Sequence, residues 1–404
     1  MNKPKIRFNE FGNIWTKSKL GELYEIYSGN TPSRSDNRNY QNGEIPWIKT
    51  TDLNNSIIYA NEEKISVYGA TKLKVLPEKS VLIAMYGGFN QIGRTGLLAY
   101  PATINQALAA LMPINEIYPN FLLNFLNFKK ESWRNVAASS RKDPNITKND
   151  VEKFIISFPS LEEQSAIGSL FHTLDDLLAS YKDNLANYRS LKTTMLSKMF
   201  PKAGQTVSEI RSDGFEGEWE LLEINDLADD FQSGGTPKTN VQEYWDGDIP
   251  WIQSSDLETN CLFEIKVQKS ISEKGLKNSS AKIIPKDSIA VVTRVGVGKL
   301  VVMRHEYATS QDFLSLSNLK SNIEFTAYLL YRLLQKEVTQ LQGTSIKGIT
   351  KVELLSKKVL IPSLLEQQAI GSYFSNLDQL ITSYQEKITQ LETLKKKLLQ
   401  DMFI

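Results

Sequence analysis

The 404-residue sequence has one cysteine, Cys261, and two histidines, His172 and His305. One cysteine excludes an internal disulfide and a Cys-rich zinc site, and such usage fits a reducing cytoplasm. No apolar run approaches the ~20 residues that a membrane-spanning helix needs. The opening Met1-Asn2-Lys3-Pro4-Lys5 leads into mixed polar sequence with no signal-peptide core, so the expected location is cytoplasmic. Catalytic motifs are scarce too. A P-loop needs Gly-x4-Gly-Lys-Ser/Thr, and Gly296-Val297-Gly298-Lys299-Leu300 fails on spacing and hydroxyl. A methyltransferase acting on an amino group needs a glycine-rich cofactor loop and an Asn/Asp-Pro-Pro-aromatic string. The nearest string, Asp143-Pro144-Asn145, lacks the second proline and the aromatic ring.

Hydrophobic residues make up 41% and charged residues 23%, the balance of a folded protein rather than a disordered one. Net charge is only +1, which hides an asymmetry: residues 1–157 carry +6 and residues 213–360 carry −4. A lone nucleic-acid binder is usually more basic, so a partner would supply much of any phosphate neutralisation.

The chain is written twice. Leu161 to Phe200 returns as Leu364 to Phe403 at a constant offset of 203 without a gap, with about half the positions identical. Ser28-Gly29-Asn30-Thr31-Pro32 returns as Ser233-Gly234-Gly235-Thr236-Pro237, and Ile45-Pro46-Trp47-Ile48 as Ile249-Pro250-Trp251-Ile252. Thr50-Thr51-Asp52-Leu53 matches Ser254-Ser255-Asp256-Leu257, Gly93-Arg94 matches Gly298-Lys299, and Asn105-Gln106 matches Ser310-Gln311. The lead-ins Ile6-Arg7 to Trp15 and Ile210-Arg211 to Trp219 recur as well. Each half is therefore one globular unit followed by one long helix. The expected divisions are a first domain over 1–157, a first long helix over 158–200 and a linker over 201–218. A second domain over 219–360 and a second long helix over 361–404 follow.

The globular units read as mixed α/β. Strand-like runs at Ser80 to Met85 and Ser288 to Thr293 end in turn glycines, Gly87-Gly88 and Gly296-Val297-Gly298. Apolar spacing predicts helices over Pro119 to Asn127 and Ile323 to Leu334. Ser160 three residues before Glu163, and Ser363 three before Glu366, predict capping boxes at the long helices. Heptad rows then run through Ile167, Leu174 and Tyr181 and through Phe171, Leu178 and Leu185. The second helix repeats them as Ile370, Leu377 and Tyr384 and as Phe374, Ile381 and Ile388. Seven-residue spacing held over four heptads predicts a coiled-coil seam, interrupted at Lys192 and Lys395 in the same place. Two helices of this length, ~55 Å each, packed antiparallel would hold the globular units apart about a pseudo-twofold axis. Two similar but non-identical readers in that arrangement suit a split, asymmetric DNA site.

Taken in order and twice over, these strings resemble the specificity (S) subunits of type I restriction-modification systems, over nearly the whole chain. Ser-Gly-x-Thr-Pro, Ile-Pro-Trp-Ile, the Asn105-Gln106/Ser310-Gln311 segment and Pro-Ser-Leu-x-Glu-Gln-x-Ala-Ile-Gly carry the likeness. It implies an α+β fold of two mixed α/β target-recognition domains, joined by two long helices in an antiparallel coiled coil. It implies double-stranded DNA as ligand and two methyltransferase (M) subunits as partners, with restriction (R) subunits where a nuclease is assembled. S-adenosylmethionine, ATP and Mg²⁺ would then belong to those partners, leaving this chain non-catalytic and without a cofactor of its own.

Base reading needs donors such as Arg, Lys, Asn and Gln on loops that a groove can reach. The candidates in the first domain are Arg34, Arg38, Lys49, Asn90, Gln91, Arg94, Arg141 and Lys142. In the second they are Lys238, Gln253, Arg294, Lys299, Ser345 and Lys347. Trp47 and Trp251 read as core, and Gly29 and Gly234 as turn glycines. His172 and His305 read as surface residues, and Cys261 as a filler. Two other readings remain open. One is a two-domain scaffold that reads no DNA. The other is a Mg²⁺-dependent nuclease, because Asp52 precedes Glu62-Glu63-Lys64 and Asp256 precedes Glu264-Ile265-Lys266. Against the latter, both aspartates follow Thr-Thr or Ser-Ser, which is turn chemistry.

Overall fold

The computed structural model describes residues 3–88, 90–138, 145–340 and 348–404. The chain divides into two compact units, Met1–Asp183 with Gln385–Ile404, and Asn184–Tyr384. The helices that frame them are α1 (Pro119–Phe128), α2 (Leu161–Lys198), α3 (Ile323–Gln340) and α4 (Leu364–Met402). Each long helix, α2 and α4, gives its first part to one unit and its second part to the other.

In the first unit the strands are β1 (Thr16–Lys19), β2 (Tyr27–Ser28), β3 (Ile45–Ile48), β4 (Ser56–Ile58) and β5 (Lys64–Ile65). They continue with β6 (Val81–Ala84), β7 (Thr95–Leu98), β8 (Thr103–Ile104), β9 (Leu108–Leu111) and β10 (Ile155–Phe158). They form a sheet in the order β2-β9-β6-β7-β4, a second in the order β5-β3-β8, and the pair β1-β10. Central β6 reads Val-Leu-Ile-Ala without alternation because both of its faces are buried.

The second unit repeats this plan. Its strands are β11 (Glu220–Glu223), β12 (Ala228–Ser233), β13 (Trp245–Ile252), β14 (Lys269–Ile271) and β15 (Ser288–Val292). They continue with β16 (Leu300–Met303), β17 (Ala308–Thr309), β18 (Phe313–Leu319) and β19 (Lys358–Ile361). The orders are β12-β18-β15-β16, β14-β13-β17 and β11-β19. Strand for strand these match the first unit, which adds the parallel edge strand β4.

Inside each unit the parts of α2 and α4 run antiparallel. In the first, Phe171 meets Phe403, Asp175 meets Lys395 and Lys182 meets Glu392. In the second, Tyr188 meets Tyr384, Lys192 meets Asp378 and Phe200 meets Phe374. The closing Met-Phe of each repeat is therefore a core plug. Phe403 packs among Trp15, Phe121, Phe125, Phe128 and Phe171, and Phe200 among Trp219, Phe325 and Phe374. Of the heptad positions, Ile167, Phe171, Leu174, Leu178, Ile370, Phe374, Leu377, Ile381 and Ile388 are buried. Tyr181, Leu185 and Tyr384 are half-buried.

Of the expected capping boxes only the serine half at the second helix is seen among the described residues, Glu366 N donating to Ser363 Oγ at 3.4 Å, because the glutamate side chains turn elsewhere. Glu163 sends both carboxylate oxygens to Arg7 at 2.7 Å, and Glu366 sends both to Arg211 at 2.7 and 2.6 Å. A buried carboxylate prefers a charged two-toothed partner to a backbone N–H at the exposed cap. The neighbouring glutamine does the local anchoring. Gln164 Nε2 donates to the Pro159 carbonyl and its Oε1 accepts from Tyr118 N, while Gln367 does the same with Pro362 and Asn322. Gly168 and Gly371 complete the motif. A Cβ at either would lie 2.8 Å from the Tyr118 ring or 2.6 Å from Asn322 Oδ1. Arg211 lies in the segment 201–218, whose Ile210 N donates to the Lys198 carbonyl and whose Thr206 carbonyl accepts from Trp219 N.

Candidate nucleic-acid interface

The strings that recur in the sequence assemble, in each unit, into one hydrogen-bonded frame. Trp47 on β3 is buried, and its Nε1 donates to the Asn30 carbonyl at 3.2 Å. Trp251 on β13 is buried in the same way and donates to the Gly235 carbonyl at 3.0 Å. Both are core, as their setting in the sequence predicts. Gly29 and Gly234 are close-approach glycines rather than turn glycines. A Cβ on Gly29 would lie 2.0 Å from the Ile104 carbonyl oxygen, and one on Gly234 2.2 Å from that of Thr309. The loop thus held presents a threonine: Thr31 Oγ1 donates to Gln106 Oε1, and Thr236 Oγ1 to Gln311 Oε1 at 2.6 Å. The loops bearing these glutamines are fixed in turn, Asn105 N to the Ile48 carbonyl and Ser310 N to that of Ile252.

The loops that follow the central strands join the same frame. Met85 N donates to the Ala107 carbonyl and Ile146 N to that of Met85. Thr293 N donates to the Asp312 carbonyl and Ile349 N to that of Thr293. Gly87, Gly88, Gly93, Gly296 and Gly298 take positive φ in these loops, as the turn reading requires.

Around this shared frame the candidate side chains differ. In the first unit Arg34 pairs with Glu63 and lies 4.3 Å from the Tyr40 ring centroid and 5.4 Å from that of Trp47. Lys49 reaches the same Glu63 at 2.6 Å. Burial alone would raise the Glu63 carboxyl, but the hydrogen bonds and charges of Lys49 and Arg34 outweigh it and hold it below its ordinary value. Arg38 pairs with Asp36 at 2.9 Å over the Tyr68 ring. Asn90 is exposed, Gln91 is half-buried, and Arg94 Nε donates to the Asn90 carbonyl. In the second unit Lys238 and Arg294 are exposed. Gln253 Nε2 lies 3.5 Å from Asp256 Oδ1, and Lys299 Nζ is bound by the Ser254 and Leu257 carbonyls. Arg141, Lys142, Ser345 and Lys347 lie outside the described residues.

Sequence reasoning quoted Thr31, Gln106, Thr236 and Gln311 as repeats but did not place them among the binding candidates. It missed Lys269 altogether, which lies 5.9 Å from the Trp251 ring centroid and covers that indole as Arg34 covers Trp47. Recurrence at a matched offset was the available clue for the Thr and Gln pairs. Nothing in the sequence pointed to Lys269.

The nuclease alternative is not supported. Asp52 Oδ2 accepts from Lys49 N at 2.7 Å and Asp256 Oδ2 from Gln253 N at 3.1 Å, so both close 3₁₀ turns, and Glu63 is paired to two cations. Glu264 and Lys266 are exposed. Among the described residues no group of three or more His, Cys, Asp or Glu is placed to hold a metal ion. His172 lies 3.6 Å from Asp176 on α2, and burial pushes the Cys261 thiol above its usual value, which disfavours its nucleophilic thiolate form.

Two stretches of the chain, residues 13–187 and 216–393, match the family described as type I restriction modification DNA specificity domain. The chain belongs to this family. Among curated relatives, the type I restriction enzyme MjaVIII specificity subunit of Methanocaldococcus jannaschii is 22% identical, over 95% of this chain and 91% of the relative. The MjaIX specificity subunit of the same organism is 28% identical over 46% of this chain, and that match spans 44% of the relative's length. Among solved structures, the type I restriction-modification S subunit from M. genitalium is similar at a TM-score of 0.65 and 16% identity, over 100% of this chain and 99% of that one. A chain solved in work on complex assembly and conformational transition of the type I R-M system is similar at a TM-score of 0.54 and 18% identity, over 96% and 97%. The specificity-domain repeat thus coincides with the structural repeat. Among the described residues no helix is long and apolar enough to cross a membrane.

Proposed function

We propose that each unit of this specificity protein reads one half of a two-part, asymmetric DNA site in the cytoplasm, and that the chain performs no chemistry itself. It directs two methyltransferase subunits, and restriction subunits where present, to that site. The cofactors S-adenosylmethionine, ATP and Mg²⁺ are theirs. One observation carries this reading. The Trp–loop–Thr–Gln frame is the same in both units, while the side chains around it, Arg34, Asn90 and Arg94 against Lys238, Arg294 and Lys299, are not. A fixed frame with a variable rim is what two readers of different sequences need. Two copies of one partner fit the helices. Leu191 on α2 and Leu394 on α4, equivalent in the repeat, are 42% and 45% exposed.

The test exchanges residues 1–157 for the same domain of a relative and maps methylation by the assembled methyltransferase. The expected product has a new first half-site and the old second one. Unchanged recognition would show that the first unit does not read DNA and would favour a scaffold.

A further inference from the structure

We propose that Gln106 and Gln311 are sequence-independent anchors for the DNA backbone, each binding one phosphate in the half-site that its own unit reads. This rests on the DNA-reading function proposed above.

Both glutamines are exposed. In each, the amide is oriented by a threonine hydroxyl that donates to Oε1, Thr31 to Gln106 and Thr236 to Gln311. Among the described residues nothing accepts from Nε2, whose two N–H donors are therefore the end that faces a ligand. A phosphate oxygen only accepts hydrogen bonds, so the two groups are complementary. A glutamine that reads adenine instead uses Oε1 and Nε2 together, accepting from N6 and donating to N7. Here Oε1 is already turned onto the threonine.

The repeat supplies the second argument. Two readers of different half-sites need different base contacts, yet this pair is the same in both. A group kept identical in both units suits what both halves share, which is the phosphodiester backbone. The support behind the pair is also the same: a buried indole holding the carbonyl just before the threonine, and a glycine pressed against the strand end. Such a frame fixes the amide before DNA arrives and lowers the ordering cost of the contact.

The experiment uses the assembled methyltransferase complex and measures DNA affinity. It compares Gln106→Ala, Gln311→Ala and Thr31→Val on the cognate site and on sites altered in either half. A hydrogen bond from a neutral amide to a charged phosphate is worth roughly a tenfold to hundredfold change in Kd. The expected result is a loss of about that size on every sequence, with base discrimination unchanged. The slope of log Kd against log salt should also stay the same, since no charge is removed. Gln106→Glu keeps the bond from Thr31 but sets a carboxylate against the phosphate, so its loss should be larger. Methylphosphonate scanning of the DNA completes the test: one substitution in the first half-site should mimic Gln106→Ala and add nothing to it. Relaxed recognition of a single base would make the residue a base reader and overturn the proposal, as would no loss at all. If methylphosphonates weaken the wild-type complex but none is coupled to Gln106 or Gln311, the anchors fall and the DNA-reading function stands. If none weakens it in either half-site, the function itself falls.

Discussion

Lys192 Nζ lies 2.5 Å from Asp378 Oδ1 in the second unit, with the Tyr328 hydroxyl donating to the same carboxylate at 2.7 Å. The ammonium also lies 5.5 Å from the Tyr328 ring centroid. Burial and the neighbouring Asp378 charge push the phenol well above its usual value, so it stays a donor. In the first unit Lys395 pairs with Asp175 at the equivalent place. The lysines that interrupt the apolar rows are thus cross-helix ion pairs. Both partners of the first pair are largely shielded, at 12% and 19% side-chain exposure, so either one alone would be a stranded charge. Asp378→Leu should cost about 3 kcal/mol, and adding Lys192→Met should recover about 2 of it. Urea unfolding of the two single variants and the double variant measures the coupling. Simple additivity would mean that the pair does not act as a unit.

Arg7 on Glu163 and Arg211 on Glu366 are the other repeated ion pairs, and their carboxylates are only 2% exposed. Arg7→Ala leaves the Glu163 charge buried, with an expected loss of about 3 kcal/mol. Lys182 and Glu392 are each more than half exposed, and Lys182→Ala should cost under about 0.5 kcal/mol. Thermal unfolding of both variants compares them. Equal losses would show that the Arg7 pair is not acting as a buried one.

These ion pairs mark where sequence reasoning stops. The strand runs, α1, α3 and the long helices are legible because continuous apolar runs and helical periodicity are local signals. The Ile-Pro-Trp-Ile core and the positive-φ glycines are legible for the same reason. Glu163 is not, because its partner is 156 residues away and the Ser-x-x-Glu spacing imitates a local cap. Gly29 looks like a turn residue until the Ile104 carbonyl is seen against it. The binding loops are the least legible part. Exposed Arg and Lys leave no periodic trace, and only the folded chain shows that Lys299 is held by two carbonyls while Arg294 is exposed.

The two units differ at a buried position on α1 and α3. Asn124 on α1 stands where Tyr328 stands on α3, as the matched bonds Tyr118 N to Gln164 and Asn322 N to Gln367 establish. Asn124 Oδ1 is buried with no hydrogen-bond partner among the described residues, and it lines a cavity of about 730 Å³ that Asp175 and Lys395 also border. Asn124→Tyr should place a phenol against Asp175, as Tyr328 lies against Asp378, and raise stability by about 1 kcal/mol. A lower melting temperature would show that the cavity does not accept the ring.

Glu209 supplies a pH test. Hydrogen bonds from Lys198 and Lys202, at 2.9 and 2.6 Å, and then their charges, hold its carboxyl down to about 2 from an ordinary 4.5. Its folded value is depressed, so its contribution is present above pH 4.5 and lost as pH falls toward 2. Glu209→Gln should flatten the acid limb over that window by lowering the plateau above pH 4.5 slightly, with stability near pH 2 little changed. High salt should have the same effect, because the group is exposed. An acid limb unaltered in the variant would show that the pairing persists in the unfolded chain or is absent from the folded one.

Arg94, Arg294 and Lys299 separate base reading from support. Arg94 follows the glycine turn after β6, Arg294 enters the one after β15, and Arg294 is exposed. A base-edge arginine contributes about 1–3 kcal/mol of discrimination, which corresponds to roughly 5- to 150-fold. A phosphate-bound arginine weakens all sequences alike. Methylation by the assembled complex, scored over a library of altered sites, distinguishes the two. Arg94→Ala should relax only the half-site read by the first unit, and Arg294→Ala only the other. Lys299 aligns with Arg94 in the repeat, but its ammonium is bound to the Ser254 and Leu257 carbonyls, so it holds the turn that Asp256 closes. Lys299→Ala should therefore lower the stability of the second unit without changing which sequence is methylated. If Lys299→Ala alters specificity while Arg294→Ala does not, the reading side chain has been misassigned by five residues along one loop. If both arginine variants lose activity equally on every site, the arginines hold phosphate, and base reading falls to the other loops that the Thr–Gln frame supports.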